Sequence, residues 1–187
     1  MNVIVMKKFT DDQLQIVNRS VTMAEELVSN AYKMSVNQWL RNRYDVKTLT
    51  DLSPEEIVDG PFAQVIRYVG YRNDVSLSSA AYDLYKICLQ DHAILHTLGR
   101  FPQLSLLPFL LYIVTHELIH IVRFSRFLQS FEAPPDEKMA EEIRVHARTH
   151  EILASLRLAG LKEVLDFYRD WRMSPESGWS QSAFDDG

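Results

Sequence analysis

The residues best equipped for chemistry are His116, Glu117 and His120, inside the apolar run from Tyr112 to Val122. On a helix, residues four apart lie one turn above each other on the same face, so the two imidazoles can converge on one metal ion. The glutamate beside the first histidine stays off the metal, where it can take a proton from a water attacking a carbonyl. This HExxH spacing is the chemistry of a zinc-dependent peptidase. A lone histidine on a buried helix is ordinarily a hydrogen-bonded core residue. Here three polar side chains interrupt one greasy run, and each needs a partner if buried. A metal site satisfies all three together.

A catalytic zinc usually takes three protein ligands and leaves a fourth position for water. The third must come from elsewhere in the chain. A third histidine six residues after the second is excluded, because Arg126 stands there, and Arg123 stands where that pattern needs glycine. Glu141 and Glu142 follow about twenty residues on, past the Pro134-Pro135 break that lets the chain turn back. On a helix Glu142 shares a face with Ile143, His146, His150 and Leu153, whereas Glu141 falls with Val145. Paired glutamates in a first helical turn are also commonly just a solvated acidic start.

With its HExxH and a following glutamate, the stretch from about 112 to 150 resembles the gluzincins, zinc metallopeptidases whose third ligand is a glutamate on a following helix. The resemblance implies His116, His120 and Glu142 as ligands of Zn²⁺, with Glu117 as general base. It also implies an acidic residue one turn after the third ligand, a place taken here by His146. His146 is therefore expected to act on the developing oxyanion or to orient a ligand, and it and His150 stay open as ligands themselves. Tyr112 and Arg144 are further candidates for the oxyanion donor.

The elements that must position these groups read as mainly helical. Thr10 to Gln13 is a capping box opening a helix over about 11–34, and a shorter helical piece is expected over 37–44. Ser53-Pro54-Glu55-Glu56 starts another short turn. Phe62 to Tyr71 carries competing strand and helix signals, and is the best candidate for the edge strand that zinc peptidases run beside their substrate. Ser76 to Ser79 cap a predicted helix over 77–98, which carries Asp91, His92 and His96. Its two histidines repeat the four-residue spacing without a glutamate between them. They read as surface or supporting groups. Ser105 caps the motif helix to about 128, a further helix runs over 136–158, and Leu161 to Met173 resumes after Gly160. Residues 2–6 suit a short strand or a frayed end.

At 187 residues, 47% hydrophobic and 24% charged, the chain suits one domain with a full core. We expect an α-rich α+β fold over 1–173, with a zincin-like core and a small sheet, and a loose tail over 174–187. A net charge of -5 argues against a nucleic-acid partner. The single cysteine, Cys88, sits in an apolar pattern as a buried thiol, so any metal must be held by histidine and carboxylate. The N-terminal apolar run is short and precedes its charges, which is not an export signal. The expectation is a cytoplasmic protein with a peptide or protein substrate and no membrane span, the interrupted 104–122 run being a buried helix. Two rivals remain. One is a four-helix di-metal bundle of ferritin type, with Glu25 or Glu26, His92, His96, and Glu142 with His146 facing inward. The other is a non-catalytic zinc-binding protein on the same scaffold.

Overall fold

The computed structural model describes residues 6–41, 43–71 and 81–172. Its elements are α1 (Asp11–Tyr32), α2 (Val36–Arg41), β1 (Arg43–Lys47), β2 (Ala63–Tyr71), β3 (Ala81–Leu89), α3 (Asp91–Arg100), α4 (Leu106–Ser125), α5 (Pro135–Leu153) and α6 (Leu161–Phe167). The fold is an α-rich α+β arrangement with one small mixed sheet, in strand order β1-β3-β2. β3 pairs parallel with β1 and antiparallel with β2, in register from Ala63 opposite Leu89 to Tyr71 opposite Ala81.

The helix carrying the histidines organises the core. α1, α5, α6, β2 and β3 all pack against α4. From Pro108 to Val122 every residue of α4 is buried except Glu117. By length and composition α4 could cross a membrane, but the fold itself covers most of its apolar surface. Pro108 sits in its first turn, where the missing N–H costs little.

The helix starts follow local chemistry. Thr10 and Gln13 close a reciprocal capping box on α1, with bonds of 3.0 and 3.3 Å. Pro135 takes the first position of α5, with Asp136 and Glu137 in the first turn where the helix dipole favours them. α1 and α4 both end in a left-handed residue, Lys33 at φ 54° and Phe127 at φ 56°. In each, two backbone bonds reach back into the last turn: Met34 N–H to Ser29 O and Lys33 N–H to Asn30 O, then Leu128 N–H to Arg123 O and Phe127 N–H to Phe124 O. These are Schellman caps with a side chain where glycine is usual.

Three sequence expectations are corrected. The helix predicted over 77–98 is a strand over Ala81–Leu89 followed by α3 from Asp91. β3 is the central strand and Ile87, Cys88 and Leu89 are all buried. Covered on both faces there, these three residues form a short apolar run that periodicity alone does not distinguish from a helix. The helical piece expected through Tyr44 stops at Arg41, and Arg43–Lys47 is strand β1. α5 ends at Leu153, not 158. Phe62 to Tyr71 resolves as a strand at the sheet edge. The expected cap over 76–79, the strand over 2–5 and the tail over 174–187 lie outside the described residues. A four-helix bundle needs 77–98 as one long helix, which the central strand rules out.

Two buried polar groups tie loops to this frame. The Asp91 carboxylate accepts from Phe9 N–H and Leu49 N–H at 3.0 Å each. Gln90, fully buried, donates to Glu56 O and accepts from Val58 N–H, holding the segment that leads into β2.

Candidate metal centre

α4 and α5 deliver the site. His116 Nε2 and His120 Nε2 are 3.1 Å apart, as one turn of helix allows. Glu142 bridges them from α5, with Oε2 at 3.1 Å from His116 Nε2 and Oε1 at 3.0 Å from His120 Nε2. The two imidazoles are nearly buried and Glu142 is about a third exposed, 37% by side chain. His146, one turn after Glu142, has its ring centroid 4.2 Å from that of His116. Ligand atoms of His116, Glu142 and His146 lie within 4.8 Å of one another.

The phase of α5 is fixed by the neighbouring glutamate. Glu141 is buried and makes a two-point ion pair with Arg123 of α4, through Nε and, at 3.1 Å, Nη2. Arg144 adds a third contact at 3.1 Å. This anchors α5 on α4 with Glu142 turned to the histidines. Glu141 is committed to arginine and does not reach the centre, as the sequence phase suggested.

Charge in the cluster is strongly coupled. Burial alone would raise the Glu142 carboxyl, but hydrogen bonds from His116 and His120 overcome this and hold it well below the usual carboxylate range. Burial works against charge on His120, yet the Glu142 hydrogen bond and negative charge push its pKa up to about 9.

Glu117 points to the cavity. Solvent reaches it there, but desolvation by the surrounding walls raises its carboxyl; His116 and His120 pull the other way and Glu142 adds to the rise. The cavity has a volume of about 690 Å³ and its walls include Gly60 to Val65 leading into β2, with Phe124, Phe131, Phe101, Phe167 and Trp171.

Behind the histidines the packing is aromatic. Tyr112 OH is 2.9 Å from His146 Nδ1. Tyr168 stacks on Tyr112 with centroids 3.9 Å apart and planes 5° from parallel. Trp171 meets His146 edge-on at 5.4 Å. His120 Nδ1 is 3.0 Å from Gln129 Oε1, whereas His116 Nδ1 and Thr115 Oγ1 are buried with no hydrogen-bond partner among the described residues.

The structure thus brings together His116, Glu117, His120, Glu142, His146 and Tyr112. His150 does not line the cavity, and Arg144 is taken up with Glu141. His96 is exposed on the cavity wall. His92 is outside it, with Nε2 3.5 Å from Asp59. Sequence reasoning missed Gln129, Tyr168 and Trp171. Nothing in their local pattern marks them, because each reaches the site through a turn that reverses the chain.

Comparison with models of known protein families, with curated proteins and with solved structures gives no match to this chain.

Proposed function

We propose that the chain is a zinc-dependent peptidase of gluzincin type, with His116, His120 and Glu142 as metal ligands and Glu117 as general base. One observation carries this reading: two imidazole nitrogens and one carboxylate meet at 3.0–3.1 Å beside a cavity, with a glutamate next to them facing the same space. The donor set fits the metal. Ligand atoms about 2.0–2.1 Å from a tetrahedral zinc are about 3.3–3.4 Å apart, close to the 3.1 Å between the two imidazole nitrogens and to the 3.0–3.1 Å from each of them to one or other Glu142 oxygen. Nitrogen and oxygen donors with no thiolate are those of catalytic sites.

Zinc bound there would lower the pKa of a water toward neutrality and polarise a carbonyl. Glu117 receives the proton of the attacking water and hands it to the leaving amine, so water is added across the C–N bond and Glu117 ends as the carboxylate anion it was at the start. Its raised pKa suits both halves of that transfer. Tyr112 OH lies 2.9 Å from His146 Nδ1, and with the hydroxyl as donor the proton of a neutral imidazole stands on Nε2, where it would stabilise the carbonyl oxygen as charge develops. β2 borders the cavity, and its outer edge is unpaired among the described strands. An extended peptide can add to that edge with its carbonyl over the centre.

The test is hydrolysis of a varied set of quenched fluorescent peptides by the zinc-loaded protein. Cleavage that stops with chelator, returns with zinc and falls about 10²–10⁴-fold in Glu117→Gln is the expected result. A zinc-loaded wild type that cleaves nothing would favour a non-catalytic metal protein, and equal rates for Glu117→Gln would remove the base.

A further inference from the structure

Two imidazoles converge on the centre, but only one is held from behind. His120 Nδ1 faces Gln129 Oε1 at 3.0 Å, while His116 Nδ1 is buried with no hydrogen-bond partner among the described residues. A neutral imidazole offers a lone pair at Nε2 only when its proton is on Nδ1. An oxygen set against Nδ1 selects that tautomer. We infer that Gln129 is a positioning residue of the metal centre: its side-chain oxygen accepts the Nδ1 proton of His120, leaving Nε2 unprotonated and aimed at the point where His116 and Glu142 meet.

The backbone places Gln129 for this task. The cap of α4 reverses the chain at Phe127, so a residue nine positions after His120 returns alongside it. Phe131 then packs on Phe124 with centroids 4.5 Å apart, and the Arg67 guanidinium of β2 lies 5.2 Å from its ring. The turn is therefore tied both to α4 and to the strand bordering the cavity. Gln129 is half-buried and lines the cavity itself.

An amide orients less firmly than a carboxylate. It can turn over and present its NH₂ group, which favours the opposite tautomer, whereas a carboxylate only accepts. Two substitutions separate these roles. Gln129→Leu keeps the size and removes the acceptor. Gln129→Glu keeps an acceptor and removes the donor.

The inference rests on the zinc reading, and the experiment distinguishes the two. Zinc affinity is measured near neutral pH by competition with a chromophoric chelator, for the full chain as wild type, Gln129→Leu and Gln129→Glu. We expect about 10–100-fold weaker binding for Gln129→Leu, and binding at least as tight as wild type for Gln129→Glu. A wild type that binds zinc with Gln129→Leu unchanged would overturn the role of Gln129 and leave the metal site standing. Gln129→Glu as weak as Gln129→Leu would also overturn it, because damage to the turn would then explain both. A wild type that binds no zinc would remove both inferences.

Discussion

The ion pair beside the centre makes the sharpest prediction about how the site is held. Replacing Glu141 by glutamine keeps its size but strands Arg123, whose side chain is only 20% exposed against 4% for Glu141. At an effective dielectric of about 20, unit charges 3 Å apart attract by about 5 kcal/mol, and desolvation offsets most of this. What unfolding measures is the cost of leaving one charge without its partner, about 3–5 kcal/mol for a fully buried pair. Arg123 can partly turn to water, so we expect about 2–3 kcal/mol. Arg144, 65% exposed, contributes less than about 1 kcal/mol. Denaturant unfolding of the metal-free protein should show this loss as a lower midpoint with an unchanged slope. The double replacement Arg123→Met with Glu141→Leu should recover most of it, since an apolar pair needs no compensation. Glu141→Gln should still bind one zinc, because Glu142 supplies the ligand. A loss below about 0.5 kcal/mol, or loss of zinc stoichiometry, would refute the division of labour between the two glutamates.

Two further substitutions test the frame. Phe127 holds a left-handed conformation while 95% exposed, so Phe127→Gly relieves strain without losing burial and should stabilise by about 1 kcal/mol, read as a melting temperature about 2–4 °C higher. Glu56 accepts from Lys86 and Tyr68 at 2.6 Å each, which with Ser53 N–H hold its carboxyl down to about 2 from an ordinary 4.5. Its folded pKa lies below the unfolded one, so its contribution is complete above about pH 4.5 and is lost as pH falls toward 2. Lys86 is about a quarter exposed, and solvent there screens the pair to about 1–2 kcal/mol. Glu56→Gln should remove that stability at neutral pH and flatten the acid limb, and an unchanged acid limb would show that the ion pair is not what titrates.

What could be read from the sequence divides along physical lines. α1, α4 and α5 were legible because caps and 3.6-residue periodicity are local, and helix phase put Glu142 and Glu141 on different faces. The strands were harder. β3 is buried on both faces at Ile87 to Leu89, so alternation is lost there and its run merged with α3 into one apparent helix. β1 exists because β3 pairs with it, a partner far along the chain. The cluster of His116, Glu117 and His120 was legible as a spacing. Its supports were not. Gln129 returns through a left-handed phenylalanine where the usual glycine signal is missing, and Tyr168 and Trp171 arrive from beyond Gly160. Tyr112 was legible as a neighbour of the motif, but its bond to His146 depends on how α4 and α5 cross.

The most direct measurement is metal content by elemental analysis of purified wild type beside Glu117→Gln and Glu142→Ala. The account predicts one zinc per chain, kept in Glu117→Gln and lost or weakened in Glu142→Ala. No zinc in the wild type under zinc-replete conditions, two metals per chain, or a metal expelled by Glu117→Gln would contradict it.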